Sequence, residues 1–215
     1  MKKKNAPSFP EVLAAVAVAA LLISASVTFV LFDRGAYVRQ MDGFGLQATT
    51  GMDEKDILDN YNALIDYNSV FFRGPLEFPT LPMSEAGQKH FEDVKAIFVF
   101  FQIIIMVSAA LTALCCILLL RKRRFRFLAL GGILALAIPA AVACVMAAVG
   151  WDRFFVLFHE VFFNNDLWIF DAQTDPVILI LPDAYFLNCL VRMVAGIILP
   201  SVVLIACFVK KWVSR

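Results

Sequence analysis

The chain has 215 residues, enough for one domain or two small ones. Hydrophobic residues make up 61% of it and charged residues 17%, with a mean hydropathy of +0.78 and a formal net charge of +1; a soluble domain is nearer half apolar and a quarter charged. That excess of apolar surface is more than 23.9 kDa can bury, so lipid must solvate much of it, which disfavours a cytosolic enzyme, a secreted disulfide domain and a nucleic-acid binder.

The first apolar stretch covers about residues 12–32, with Glu11 at its start. It continues through Val27, Phe29, Val30, Leu31 and Phe32, beyond the 7–15 residues of a cleavable signal, and is read as an uncleaved anchor. Residues 33–95 follow, too long for a bare connection. Within them Met41–Gly51, with Gly43, Gly45 and Gly51, reads as loop. Asp53-Glu54-Lys55-Asp56 gives an acidic first turn, and Ile57, Tyr61, Leu64 and Ile65 follow at helical spacing, which predicts a short amphipathic helix. Phe71, Phe72, Phe78 and Leu81, broken by Pro75, Pro79 and Pro82, form an extended apolar stretch. Ser84 is placed to cap a helix that runs from Glu85 straight into the second span, about 96–120.

A short basic loop, 121–126, leads to the third span, about 127–149. The second outer segment, 150–185, opens with the Phe-rich stretch Trp151–Phe163, read as a helix that continues the third span or lies at the interface. Asn164-Asn165-Asp166 is a turn, Val177–Leu181 a short β-branched run, and Pro182-Asp183 starts the helix of the fourth span, about 186–209. Each span has at least the roughly 20 residues that cross about 30 Å of hydrocarbon. Pro139 and Pro200 predict kinks in spans three and four. The expected fold is therefore an all-α polytopic membrane protein, one membrane domain over 1–215, with four transmembrane helices and two structured outer segments.

Charge sets the expected topology. Lys2, Lys3 and Lys4, then Arg121, Lys122, Arg123, Arg124 and Arg126, then Lys210, Lys211 and Arg215 amount to eleven basic residues with no acid among those segments. Residues 33–95 hold eleven acids against six bases, and 149–186 hold six acids with Arg153 as their base. The positive-inside rule places both termini and the basic loop in the cytoplasm and the acidic segments outside, in a multi-pass plasma-membrane protein. Trp151, Trp168 and Tyr185 fall near the outer interface, where amphipathic aromatics concentrate. Cys115, Cys116, Cys144, Cys189 and Cys207 all lie in apolar spans and read as small buried hydrophobes.

For chemistry the chain has two histidines. His90 lies at the entry to span two and His159 in the second outer segment, at the same expected depth. As a converging pair they would serve as base and acid near neutral pH; as separate side chains each would simply satisfy a polar site at the interface. Asp93, three residues beyond His90, shares its helical face and is placed to fix its tautomer. Arg153 is read either as an orienting group for a headgroup or oxyanion, or as a partner of lipid phosphate. Phe155, Phe162 and Phe163 are candidate acyl-chain contacts, or simple packing. Asn164, Asn165 and Ser84 read as turn and cap residues. Nothing in the spacing argues for a metal or another cofactor.

Two patterns carry a family resemblance: Ser84-Glu85 through His90 to Asp93-Val94-Lys95, and Phe158-His159-x-x-Phe162-Phe163, then Trp168-x-Phe170, then Asp175-x-x-Ile178-x-x-x-Pro182. With them the whole chain resembles the lipoprotein intramolecular transacylase (Lit) family of Gram-positive bacterial membrane proteins. The resemblance implies a lipoprotein-maturation acyltransferase with His90 and His159 catalytic; Asp93, Arg153, Trp168 and Tyr185 are expected from their own placement to support them. It implies transfer of the sn-2 acyl chain of a diacylglyceryl-cysteine to the α-amine of the same cysteine, which gives a lyso-form lipoprotein. The partners expected are that lipoprotein and membrane lipid, with no nucleic acid, for a monomer whose site faces outward. The alternatives are a non-catalytic membrane partner protein, a small transporter, and a lipid hydrolase or intermolecular acyltransferase with Ser84 as nucleophile.

Overall fold

Hydrocarbon offers no partner for a peptide group, so a chain this apolar must satisfy its backbone within each segment. It does so with helices throughout: no strand occurs among the described residues of this computed structural model, which are 6–121 and 124–213. Lys2, Lys3, Lys4, Lys122, Arg123 and Arg215, all counted in the charge argument, lie outside them. The order is α1 (Phe9–Phe32), α2 (Arg34–Met41), α3 (Leu46–Thr50), α4 (Glu54–Tyr67), α5 (Glu85–Cys115, ending in a π-helical turn Cys116–Leu120), α6 (Arg126–Ala135), α7 (Ala137–Phe162), α8 (Val177–Ile180) and α9 (Asp183–Val213). Four helices are long and apolar enough to cross a membrane: Phe9–Phe32, Glu85–Leu119, Arg126–Phe162 and Asp183–Phe208.

The two prolines act differently. The third span divides at Leu136, just ahead of Pro139, whose missing N–H leaves the Ala135 carbonyl without its usual donor. Pro200 sits inside an unbroken α9. A sharper break falls at Gly150, with φ 76° and ψ 173°. Residues 151–162 therefore form a separate helical arm beyond the apolar stretch, with Asp152, Arg153, His159 and Glu160 on it. In the same way the first three turns of α5 carry Glu85, Lys89, His90, Glu92, Asp93 and Lys95 ahead of the apolar run from Ala96.

The chain forms two compact units. The first comprises Met1–Val27, Phe101–Ala148 and Arg192–Arg215. Its helices approach closely over small residues, as membrane helices do. A side chain at Gly131 would meet Val18 at 2.6 Å, one at Gly132 would meet the Ser201 carbonyl at 2.8 Å, and Ser26 Oγ donates to the Met193 carbonyl at 2.7 Å. Glu11, 1% exposed, takes two 2.6 Å hydrogen bonds from the Arg126 guanidinium and one of 2.9 Å from the Ser8 N–H. Arg126 thus pairs with a buried carboxylate as well as adding to the basic loop.

The second unit, Thr28–Phe100 and Val149–Val191, holds both histidines. Its core includes Tyr37, Leu46, Ile57, Tyr61, Leu64, Phe91, Val177, Ile180 and Tyr185. Tyr37 and Tyr61 stack with centroids 3.7 Å apart, Tyr37 Oη donates to the Ile180 carbonyl at 2.7 Å, and the Tyr61 and Tyr185 hydroxyls share a 2.8 Å hydrogen bond. Asp53 caps α4 through the Asp56 N–H at 2.8 Å, which is where the acidic turn placed its start. Of the loop expected over 41–51, residues 42–45 are turn but Leu46–Thr50 form α3, flanked by Gly45 and Gly51 in left-handed conformation at its two ends; these glycines cap a helix whose Leu46 is buried in the core. The β-branched run takes the form of a helical turn, Val177–Ile180, whose side chains pack into that core from a turn begun at Pro176.

The Pro-rich stretch before α5 has no ladder of its own. Asn60, fully buried on α4, supplies partners: its Oδ1 accepts from the Thr80 N–H at 3.2 Å and the Leu81 N–H at 3.3 Å, and its Nδ2 donates to Thr80 Oγ1 and the Asp56 carbonyl, each at 2.6 Å. Asn60→Ala should therefore cost about 2 kcal/mol or more, read as a lowered thermal midpoint in detergent. Thr49→Ala, at an exposed bond to its own helix, should change it little.

Candidate functional site

His90 reaches the site from the third residue ahead of Asp93 on α5, and His159 from the α7 arm. Their ring centroids lie 6.1 Å apart. Aromatic rings enclose them. Phe163 approaches both, at 4.9 Å from His90 and 5.6 Å from His159. Phe91 and Phe170 stand 5.8 and 5.4 Å from His90. Phe155 lies 4.3 Å from His159, Phe158 5.4 Å, and Trp168 stacks on it at 4.6 Å. His90 is 5% exposed and its Nδ1 is buried without a hydrogen-bond partner; His159 is part-exposed.

The tautomer of His159 follows from its one hydrogen bond. Nδ1 lies 2.7 Å from the Phe155 carbonyl, and a carbonyl only accepts, so Nδ1 carries the proton and the neutral ring keeps a lone pair on Nε2. Burial disfavours the charged form of both rings. It pushes His90 down from 6.5 to about 4, helped by the neighbouring His159 and opposed by the Asp93 carboxylate. His159 is also lowered by burial, against the Phe155 carbonyl, which favours its charged form. At neutral pH both imidazoles are uncharged: His159 is a free base, and His90 a neutral group with an unsatisfied nitrogen.

The remaining expected residues divide. Phe155, Phe163 and Trp168 line the pair. Asp93 lies beside it but does not hydrogen-bond His90: its Oδ2 accepts from Asn165 Nδ2 at 3.1 Å. Side chains three apart on a helix are neighbours but not obliged to bond, and here the amide from the following turn takes the carboxylate. Arg153 faces solvent in an exposed pair with Glu160 at 3.5 Å. Tyr185 is committed to Tyr61 in the core. Phe162 is 54% exposed and packs on Phe158 at 4.6 Å.

Ser84 caps α5, its Oγ accepting from the Gly87 N–H at 2.9 Å, while its own N–H donates to Asp175 Oδ1 at 2.8 Å. Asn165, read from the sequence as a turn residue, and Phe170 and Asp175, quoted there only as motif positions, are the site's further neighbours. Among the described residues no group of three or more His, Cys, Asp or Glu is placed to hold a metal ion. With two histidines in the chain, histidine-selective NMR has two rings to follow. Both should titrate below the ordinary value near 6.5, with His90 protonating last as pH falls; titration of either ring at or above that value would contradict the enclosure.

The comparisons with known proteins agree with one another. No curated protein matches the chain. The family profile described as lipoprotein intramolecular transacylase Lit matches residues 12–186. The in meso structure of the membrane-integral lipoprotein intramolecular transacylase Lit from Bacillus cereus is 30% identical, with a TM-score of 0.89 over 95% of this chain and 94% of that one. Two further structures of that protein, with a histidine replaced by arginine or by alanine, are each 30% identical with a TM-score of 0.83 over 96% of this chain; they are covered to 93% and 94%. On that match, spanning four apolar helices and the enclosed histidine pair, the chain belongs to the lipoprotein intramolecular transacylase (Lit) family and is an integral membrane acyltransferase.

Proposed function

We propose that the chain moves the sn-2 acyl chain of a diacylglyceryl-modified lipoprotein to the α-amine of the same cysteine, on the extracytoplasmic side of the membrane. The observation that carries this reading is His159 Nδ1 held by the Phe155 carbonyl at 2.7 Å, which leaves Nε2 as the basic nitrogen, 6.1 Å by centroid from a second imidazole. A free α-ammonium has a pKa of about 7.7–8.0. Once it has lost one proton, its nitrogen attacks the ester carbonyl. The C–N bond forms, His159 Nε2 takes the second proton, the glycerol C–O bond breaks, and the departing oxygen is protonated. The acyl group changes partner and no water is consumed.

His90, uncharged in its aromatic surroundings, is suited to give a neutral N–H to the oxyanion or to pass a proton to the glycerol oxygen. The attacking and attacked groups already belong to one molecule, so the protein's contribution is to fold them together, worth about 7–11 kcal/mol in well-oriented cases. Phe155, Phe158 and Phe163 are suited to an acyl chain lying against the ring of His159. Ser84 is a poor nucleophile here, because its hydroxyl oxygen is occupied as the helix cap. Positive charge on the loops supports cytoplasmic termini, which puts the histidines on the side where the substrate's lipid anchor lies.

Mass spectrometry of lipoprotein amino-terminal peptides tests the reading in a host that makes only diacylglyceryl lipoproteins. Expression of the chain should leave total mass unchanged and relocate one acyl chain to nitrogen. His159→Ala and His90→Ala should each lower the rate by about 10²–10⁴ with the protein still folded. The rate should rise with pH in two steps, the first below 6.5 as His159 becomes neutral and the second near the substrate amine. Normal product from both alanine variants would rule the mechanism out.

A further inference from the structure

We infer that residues 163–176 are a strap clipped at both ends to α5, and that Asn165 and Asp175 are positioning residues that hold the two histidines in their enclosure; this rests on the acyl-transfer reading above. Ser84, Gly87, His90 and Asp93 recur every three residues, so each neighbours the next along a line that winds round the helix. Asp175, 3% exposed, grips its start: Oδ1 accepts from the Ser84 N–H at 2.8 Å and Oδ2 from Thr174 Oγ1 at 2.7 Å. A carboxylate is favoured there by the first turn of the helix. Gly87 is its seat, since a methyl group at that position would collide with Asp175 Oδ1. At the other end Asn165 Nδ2 donates to Asp93 Oδ2 at 3.1 Å, while its Oδ1 accepts from the Leu167 N–H at 3.1 Å.

Between the clips the strap has turns and bends but no helix, so its course depends on these side chains. That stretch supplies Phe170 against His90 and Trp168 against His159, and Phe163 just ahead of it touches both. The strap therefore builds much of the surface that keeps water from the rings, and a loosened clip would wet them. The titratable groups that act on the pair are the rings themselves and Asp93. Arg153 and Glu160, on the arm of α7, pair with each other.

The test follows the two histidine resonances of the full chain in detergent, alongside kcat and KM for acyl transfer. Asn165→Ala, Gly87→Ala and Asp175→Ala should raise the histidine titrations toward 6.5 by about a pH unit and lower kcat at least about tenfold, with KM changed less. Asp175→Asn keeps the oxygen that receives the Ser84 N–H and should recover most of the wild-type rate and titration. A merely structural role would lower the amount of active protein without moving either titration. If Asp175→Ala fails to fold, Asn165→Ala and Gly87→Ala decide the question. Wild-type titrations and rates in those two would overturn the strap while leaving the transacylase reading intact. Absence of N-acyl product from wild type would instead overturn that reading, and the titrations would still decide whether the strap encloses the rings.

Discussion

Desolvation of two imidazoles is the constraint on which the site depends. Water stabilises the imidazolium, and aromatic rings packed at 4.3–5.8 Å displace it. A second imidazole centred 6.1 Å away adds a like-charge penalty, so protonating one ring opposes protonating the other. Neutrality suits the proposed mechanism: a base needs a free lone pair, and a neutral N–H can still meet developing negative charge. The Phe155 carbonyl then decides which nitrogen of His159 is free. One backbone oxygen and a cluster of hydrocarbon rings thus set the protonation chemistry, with no carboxylate bonded to either ring.

The rest of the second unit serves that enclosure. Side chains in turn supply what irregular backbone lacks. Asn60 satisfies the Pro-rich approach to α5, Asp175 and Ser84 start the helix that carries His90, and Tyr37 ties α2 to the end of α8 through the Ile180 carbonyl. Buried polar side chains such as Asn60 and Asp175 are costly unless every partner is supplied. They are tolerated here because each replaces a hydrogen bond that the backbone of a turn or extended stretch cannot make for itself.

The apolar helices were legible because length and hydropathy alone specify them: hydrocarbon thickness allows little else. The start of α4 was legible at Asp53 and the cap of α5 at Ser84, since both are local chemistry. The start of α1 carried an equally local signal that the composition argument passed over. Ser8-Phe9-Pro10-Glu11 has the capping-box spacing, and the Glu11 carboxylate accepts from the Ser8 N–H at 2.9 Å and from the Ser8 hydroxyl at 2.6 Å. The glycines around α3 misled because a glycine that ends a helix and one that breaks it look alike in sequence. Asp93 was placed on the correct face, but its partner comes from 72 residues away, and no spacing rule reaches that far. The histidine pairing lies between these cases: each ring's helix was readable, their separation of 6.1 Å was not.

The serine-nucleophile alternative fails on geometry rather than on residue type. A serine that starts a helix lends its oxygen to the N–H three residues on, and that bond competes with activation by a base. Ser84 does this at 2.9 Å while its own N–H is held by Asp175. The described cysteines are free and belong to apolar helices, with Cys144 and Cys207 exposed on them. On the proposed mechanism what remains is the histidine pair as base and donor, a set that needs its nucleophile brought by the substrate. An amine tethered a few bonds from the ester supplies it, and the same tether removes the need for a covalent enzyme intermediate. Direct transfer is thus the chemistry for which two uncharged imidazoles suffice.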